Sequence, residues 1–338
     1  VSLAKKAGME YMVLTTRHHD GYSLFDSDVS DFTAPKTAAR RDLVSEYVEA
    51  CRKKGMRIGF YYSLLDWRYK AYFDGPQRDP QGWAKFQDYV HTQVRELCAN
   101  YGKIDVFWYD GNWPWTPEDW RSAELNAMVR KLQPDILINN RSGLPEDFGT
   151  PEQRIEPAKE TTRMWETCMT MNDNWGYSKA DNNWKSVKQL IMNLVRCAKD
   201  GGNYLLNVGP KPDGTIPTPS VKRLEEIGKW MDVHGESIYG SERCPLPWTT
   251  DGILTGKGNA AYLHVFRWPG KDITISGVKN KVLSAKLLMT NKEVEVEQEE
   301  DRVFFRNLSR KAPNSLDSII KMELDGKPEA MPSFRHIL

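Results

Sequence analysis

No apolar run in this sequence approaches the roughly 20 residues a membrane-spanning helix needs, so no such helix is expected. An excess of charge of one sign is also lacking. Lys and Arg number 47 against 46 Asp and Glu, a net charge of +1, so neither nucleic acid nor an acidic membrane surface is expected as a partner. Cysteine is sparse. The five residues Cys51, Cys98, Cys168, Cys197 and Cys244 show no Cys-x-x-Cys spacing, which argues against a zinc site and a dense disulfide framework and leaves the redox compartment open. There is no phosphate loop, no dinucleotide fingerprint and no metal-ligand spacing, so no cofactor and no metal is expected. The chain opens on Val1 rather than Met, so a leader peptide is either already removed or outside this sequence.

What is present is enough apolar residue (40% of 338) for a full core in one large domain with room for a smaller one. The stretch Ile104-Asp105-Val106-Phe107-Trp108-Tyr109-Asp110-Gly111 organises the rest. Its unbroken apolar run reads as a parallel strand covered on both faces. Asp110 then lies at the carboxyl end, where alternating β/α architectures gather their chemistry, and Asp105 at the other end reads as a solvated or capping residue.

Taken in order, Leu3 to Gly8 reads as a helix tail and Tyr11 to Thr16 as a strand. Asp42 caps a helix whose positions Leu43, Tyr47 and Cys51 keep i, i+4 spacing until Gly55. A strand at Arg57 to Ser63, a helix marked by Trp83 to Leu97, the Asp110 strand, a helix over Pro117 to Leu132 and a strand from Ile136 to Asn140 follow. The polar stretch up to Thr162 reads as an active-site loop. Then come a strand at Arg163 to Met169, a helix from Val187 ended by Gly201-Gly202, a strand at Tyr204 to Val208 and a helix from Ser220 to about His234. Six strands alternating with helices predict a (β/α) barrel, with a doubly wound sheet as the alternative. The barrel is favoured because polar and aromatic residues recur where strands end: His18 and His19, Tyr61 and Tyr62, Trp108 and Asp110, Arg141, Glu166. Past Gly240 short strands separated by turn residues predict an antiparallel β-sandwich. The expected domains are therefore 1–240 and 241–338.

Carboxylates, two histidines, an arginine and many tryptophans at strand ends suit a carbohydrate pocket, in which aromatic faces stack on a sugar ring and charged groups bind its hydroxyls. Glycoside cleavage needs two carboxyl groups. Asp110 is one; the second is Glu152 or Glu166. Each residue also has a plainer reading. The histidine pair could be a core pair or metal ligands, Trp108 core, Arg141 a structural ion pair, and Glu166 a buried partner or a substrate ligand. Trp113, Trp115, Trp120, Trp175 and Trp184 either rim the leaving group or pack under loops.

The segments Arg17-His18-His19-Asp20-Gly21-Tyr22, Trp108-Tyr109-Asp110-Gly111 and Gly202-Asn203-Tyr204-Leu205-Leu206-Asn207-Val208-Gly209-Pro210, continued by Asp213-Gly214-Thr215-Ile216-Pro217, resemble the motifs of glycoside hydrolase family 29, the α-L-fucosidases. The resemblance runs from about Leu3 to Gly240. It implies a retaining exo-fucosidase with a (β/α)8-like TIM barrel followed by a C-terminal β-sandwich. It further implies fucosylated glycans as substrate, and a secreted or periplasmic protein, lysosomal in a eukaryote. In the family the aspartate matching Asp110 is the nucleophile, and residues matching His18, His19, Tyr61, Trp108 and Arg141 contact the fucose. The acid/base is best matched by Glu152, expected roughly 5–5.5 Å from Asp110. Glu166 is the fallback for that role and otherwise a substrate-binding residue. The family's His-Trp-Gly motif and a following Glu-Trp pair have no match here, so an N-terminally incomplete barrel and an upstream segment of roughly 50 to 100 residues are expected. A fucose-binding protein without turnover, and a retaining hydrolase for a related sugar such as α-galactose, are the alternatives.

Overall fold

A computed structural model describes residues 1–157, 159 and 162–332. The expected loop up to Thr162 thus lies partly outside the described residues, at 158, 160 and 161. The chain divides into two units, Val1–Lys5 with Met9–Thr150, and Lys6–Gly8 with Pro151–Leu338.

The chain begins with helix α1 (Ser2–Lys6) and strand β1 (Tyr11–Arg17). It continues through α2 (Leu43–Lys53), β2 (Arg57–Ser63), α3 (Lys70–Arg78), α4 (Pro80–Asn100) and β3 (Val106–Asp110), then α5 (Ser122–Leu132), β4 (Leu137–Ile138) and the short β5 (Phe148–Gly149). Strands β1 to β4 pair in parallel and in sequential order.

Local chemistry sets the boundaries. The Asp42 side chain accepts the Ser45 N–H at 2.8 Å, a cap worth about 1 kcal/mol. At the other end of α2, Gly55 at φ 60° lets Met56 N–H reach Cys51 O (2.9 Å) and Gly55 N–H reach Arg52 O (3.1 Å), the paired bonds of a Schellman stop. Helix α5 starts later than Pro117, because Arg121 takes φ 51° and residues 116–121 are held in turns by reciprocal Thr116–Asp119 hydrogen bonds. Strand β4 is shorter than Ile136 to Asn140, because Asn140–Ser142 turn into a 3₁₀ segment. There the Asn139 amide takes over from the backbone ladder, accepting from Tyr109 N–H and donating to Tyr109 O, both at 2.9 Å. Asp105 accepts the Ile58 N–H at 2.8 Å, in keeping with its expected capping role.

All five residues of β3 are buried. The pleat sends Phe107 and Tyr109, with Phe60 and Tyr62 of β2, into a core shared with Phe86, Val90, Val94 and Leu97 of α4. Each such side chain contributes roughly 1.5–3 kcal/mol of transfer free energy. The opposite face of the same strands carries Tyr61, Ser63, Trp108 and Asp110, paired Tyr61 with Trp108 and Ser63 with Asp110.

In the second unit β6 (Met164–Thr170) and β7 (Asn203–Asn207) pair in parallel, with α6 (Val187–Lys199) between them in sequence and α7 (Thr218–His234) after them. One expectation is corrected here. Glu166 is the third residue of β6, opposite Asn203, the first of β7, so it sits near the amino end of its strand and not the carboxyl end. The strand, read as ending at Met169, runs to Thr170, four residues beyond Glu166.

The remaining strands are β8 (Ile253–Lys257), β9 (Ala260–Val265), β10 (Ile273–Ile275), β11 (Val282–Leu287), β12 (Glu295–Glu299), β13 (Arg302–Arg306) and β14 (Ser318–Leu324). They form two antiparallel sheets, β11-β14-β9-β8 and β10-β13-β12. Leu254, Leu263, Ile320 and Met322 of the first share one core with Ile273, Ile275, Val303 and Phe305 of the second. This is the antiparallel sandwich expected from the spacing.

Candidate active site

Asp110 is the last residue of β3, and its side chain is only 10% exposed. Its two oxygens are held separately. Tyr61 donates its hydroxyl to Oδ2 at 2.6 Å, and Arg141 donates Nη1–H to Oδ1 at 2.9 Å. Arg141 is itself fixed, donating Nε–H to Thr150 Oγ1 at 2.9 Å and Nη2–H to Thr150 O at 3.2 Å, with its guanidinium 4.6 Å from the Trp108 ring centre. Trp108 stacks on Tyr61 at 5.6 Å, and Tyr61 stacks on His18 at 5.6 Å. Six of the predicted residues therefore form one contiguous group: His18, His19, Tyr61, Trp108, Asp110 and Arg141.

The state of His19 follows from its neighbours. Ser63 donates its hydroxyl to Leu65 O at 2.9 Å, so its oxygen accepts from His19 Nδ1–H at 2.7 Å. Nε2 then carries the lone pair, 3.8 Å from Asp110 Oδ2. Burial, reinforced by the adjacent His18, pushes the His19 imidazole down to about 4. It is neutral at pH 7, and its Nε2 can accept a hydroxyl proton donor beside the carboxylate.

A layer beneath was not read from the sequence. Arg17 is 1% exposed and donates to Ser63 O (2.7 Å), Leu65 O (2.9 Å) and Gln93 Oε1 (2.9 Å), with Tyr62 stacked 4.5 Å away. It thereby pins the turn that carries Ser63, which orients His19. Asp66, fully buried, lies 3.9 Å from Arg17 and packs under Gly21. Gly21 is at φ 76°, and any Cβ there would fall 2.3 Å from the Asp66 carboxylate, which gives the glycine of the Arg17-to-Gly21 motif a steric reason.

The tryptophans sort by burial. Trp120 is fully buried in the core and Trp115 packs against Trp83, whereas Trp113 is 49% exposed with its ring 5.8 Å from His19. Among the described residues, His18, His19 and Asp110 also form a group whose donor atoms lie within 4.8 Å of one another, the geometry of a metal site. The Arg141 cation on Asp110 Oδ1 opposes that use, since a divalent ion would face a positive charge already paired with its only anionic ligand.

The two glutamates belong to the second unit. Glu152 is exposed, on extended backbone bridged in parallel to Cys168, with Gln153 N–H donating to Cys168 O at 2.9 Å. Glu166 is 3% exposed within β6.

The model of the alpha-L-fucosidase family matches residues 1–236. The chain belongs to this family. The tissue alpha-L-fucosidase of Homo sapiens is 32% identical over 290 residues, covering 80% of this chain and 61% of the human one, so the chain spans about three fifths of that relative's length. Alpha-L-fucosidase isoenzyme 1 from Paenibacillus thiaminolyticus superposes with a TM-score of 0.89 at 38% identity, over 96% of this chain and 85% of that one. A family 29 alpha-L-fucosidase from Bacteroides thetaiotaomicron, trapped as a covalent intermediate with 2-fluoro-fucosyl fluoride, also gives a TM-score of 0.89, at 27% identity over 96% and 81% of the two chains. The family match takes in the Asp110 group and both glutamates, and ends just after α7.

Proposed function

We propose that the chain is a retaining exo-α-L-fucosidase that releases terminal α-linked L-fucose from glycans by double displacement. The observation that carries this reading is the carboxylate of Asp110, anchored through one oxygen by Tyr61 and through the other by Arg141, beside a neutral His19 with an available Nε2. In the first step an Asp110 oxygen attacks C1 of fucose and the C1–O glycosidic bond breaks. Glu152 gives its proton to the departing oxygen. In the second step Glu152 takes a proton from water, the water oxygen bonds to C1, and the Asp110–C1 bond breaks to return the carboxylate. Two inversions give net retention.

The fixed donors do the remaining work. Tyr61 and Arg141 hold the carboxylate in one orientation, which converts the attack into an oriented, effectively unimolecular event. His18, His19 and the Trp108 face are assigned to the sugar hydroxyls and ring, and Glu166 to a supporting position. We assign residues 1–240 to a (β/α)8-like barrel domain and 241–338 to the sandwich domain. The sequential order β1-β2-β3-β4 supports this, since doubly wound sheets reverse their order at a switch point. Fucosylated glycans are the proposed partners and a secreted, periplasmic or lysosomal setting the proposed location. No described helix is long and apolar enough to cross a membrane.

The test is incubation with an aryl α-L-fucoside, following the released aglycone and the anomer of fucose first formed. Release with retention supports the proposal. Binding without release would convert it to a fucose-binding protein, and faster cleavage of the matching α-galactoside would replace the substrate.

A further inference from the structure

Exposed aromatic surface, Trp113 included, lies beside the Asp110 group. Resting on the fucosidase reading, we propose that the loop after β2 forms a leaving-group subsite for a neutral pyranose oligosaccharide, running from Trp67 and Trp113 into a surface depression built on Phe32 and Arg68. Trp67 is 56% and Trp113 49% exposed, and both present an edge-on contact to His19, with ring centres 5.4 and 5.8 Å away. Their backbones are fixed: Trp67 N–H donates to His19 O at 2.8 Å, and Tyr72 donates its hydroxyl to Trp113 O at 2.8 Å. Two exposed indoles flanking one imidazole make the kind of apolar surface that marks a ligand-binding groove.

The loop then leads directly to the depression. Arg68 is tied to the buried Asp66 carboxylate through Nε (3.3 Å) and Nη2 (3.2 Å), and its guanidinium lies 4.3 Å from the Phe32 ring centre. Tyr69 is clamped by stacking on Phe86 at 4.9 Å. With Val29, Ser30 and Asp31 these residues line an open surface depression of about 540 Å³, a shape suited to an oligosaccharide laid along the surface. The lining alternates apolar faces with a hydroxyl, a carboxylate and a guanidinium, which matches the apolar C–H face and hydroxyl edge of a pyranose. Charge decides between neutral and anionic sugars. Among the described residues of this lining the one cation, Arg68, is paired with Asp66, and the nearby Lys36 lies 3.8 Å from both Asp26 and Asp31, which disfavours a sialyl or sulfate group. A glycan whose fucose sits at Asp110 would lay its next sugars along this surface.

The experiment compares hydrolysis of an aryl α-L-fucoside with that of a neutral fucosylated oligosaccharide by the full chain and by its Phe32→Ala and Trp67→Ala variants. The ratio of kcat/KM for the oligosaccharide to that for the aryl fucoside should fall about ten-fold in each variant, as for loss of a buried aromatic anchor. Independently, N-acetyllactosamine, which carries no fucose, should quench the tryptophan fluorescence of the wild-type chain, and Trp67→Ala should abolish part of that quench. This second readout stands even where a variant fails to fold. An unchanged ratio in folded variants, or no quench in the wild type, overturns the subsite while the fucosidase reading stands. A sialylated oligosaccharide cleaved faster than the neutral one overturns the neutral assignment. No release of aglycone from the aryl fucoside by the wild type overturns the underlying reading, and the subsite with it.

Discussion

Among the described residues, two histidine–aspartate pairs look alike on paper and differ in one physical respect. In the sandwich, His264 and Asp317 meet at 2.7 Å with both side chains fully buried, and the other ring nitrogen is 3.2 Å from Thr255 Oγ1, which itself donates to Ser237 O. Every edge of that imidazole is used. At the end of β3, His19 Nε2 and Asp110 Oδ2 stand 3.8 Å apart, with 12% and 10% of their side chains exposed. Here one ring nitrogen is committed to Ser63, and the other faces the carboxylate without touching it. A pair closed at hydrogen-bond distance stiffens a fold; a pair held slightly open by other residues leaves room for a substrate atom. The difference lies in who holds the carboxylate, since Tyr61 and Arg141 anchor Asp110 so that His19 need not.

Substitution can break this contrast at several points. Removing the open pair's carboxylate with Asp110→Gly should cut kcat by about three orders of magnitude or more, roughly 4 kcal/mol, with azide restoring turnover as a glycosyl azide. Intact activity in that variant would abolish the role. Removing the closed pair's carboxylate with Asp317→Ala should instead cost about 3–5 kcal/mol of stability in denaturant titration, because His264 loses a buried partner. Its folded fraction should keep near wild-type kcat/KM. Equal loss of activity in the folded protein would mean the two pairs are not functionally distinct.

Smaller effects sharpen the comparison. Arg141→Lys keeps the charge but cannot reproduce the guanidinium's contacts with Asp110, Thr150 and the Trp108 face, and should lower kcat/KM by about 10²-fold. A change under three-fold would show that charge alone suffices. The smallest effect is on acid stability. His19 and His234 are both pushed below the ordinary value of 6.5, chiefly by burial. The unfolded chain therefore binds more protons than the folded one below pH 6.5, so this stability is fully present above 6.5 and lost as pH falls, for His19 through about 4. Thermal unfolding between pH 7 and 4 should show a shallower decline in His234→Gln than in the wild type; parallel curves would remove His234 from the account.

How much of this was legible depended on the range of each interaction in sequence. Helix α2 could be read whole because its cap, apolar face and stop lie within fourteen residues of one another, from Asp42 to Gly55. Asp110, Arg141 and the histidine pair were readable because each follows or closes a short apolar run bounded by polar residues, which marks a strand end to within two or three residues. Helix α3 was not, since Gly75 at φ 74° and Pro76 interrupt its pattern. Glu166 was misplaced although its strand was read to within a residue of its end, because it was grouped with the strand-end residues for its charge while it lies four positions before Thr170. Arg17, Ser63 and Asp66 act through backbone carbonyls and side chains as far as 76 residues away, as from Arg17 to Gln93, and no local pattern encodes that.

We predict that the carboxylate of the open pair, and no other, bonds covalently to the sugar. Brief exposure of the full chain to 2-fluoro-fucosyl fluoride, followed by proteolysis and mass spectrometry of the peptides, tests it directly. The expected result is one added 2-deoxy-2-fluorofucosyl group, located on Asp110 and absent from Asp110→Gly. Label on Glu152, Glu166 or any other side chain, or stoichiometric labelling that survives Asp110→Gly, would contradict it.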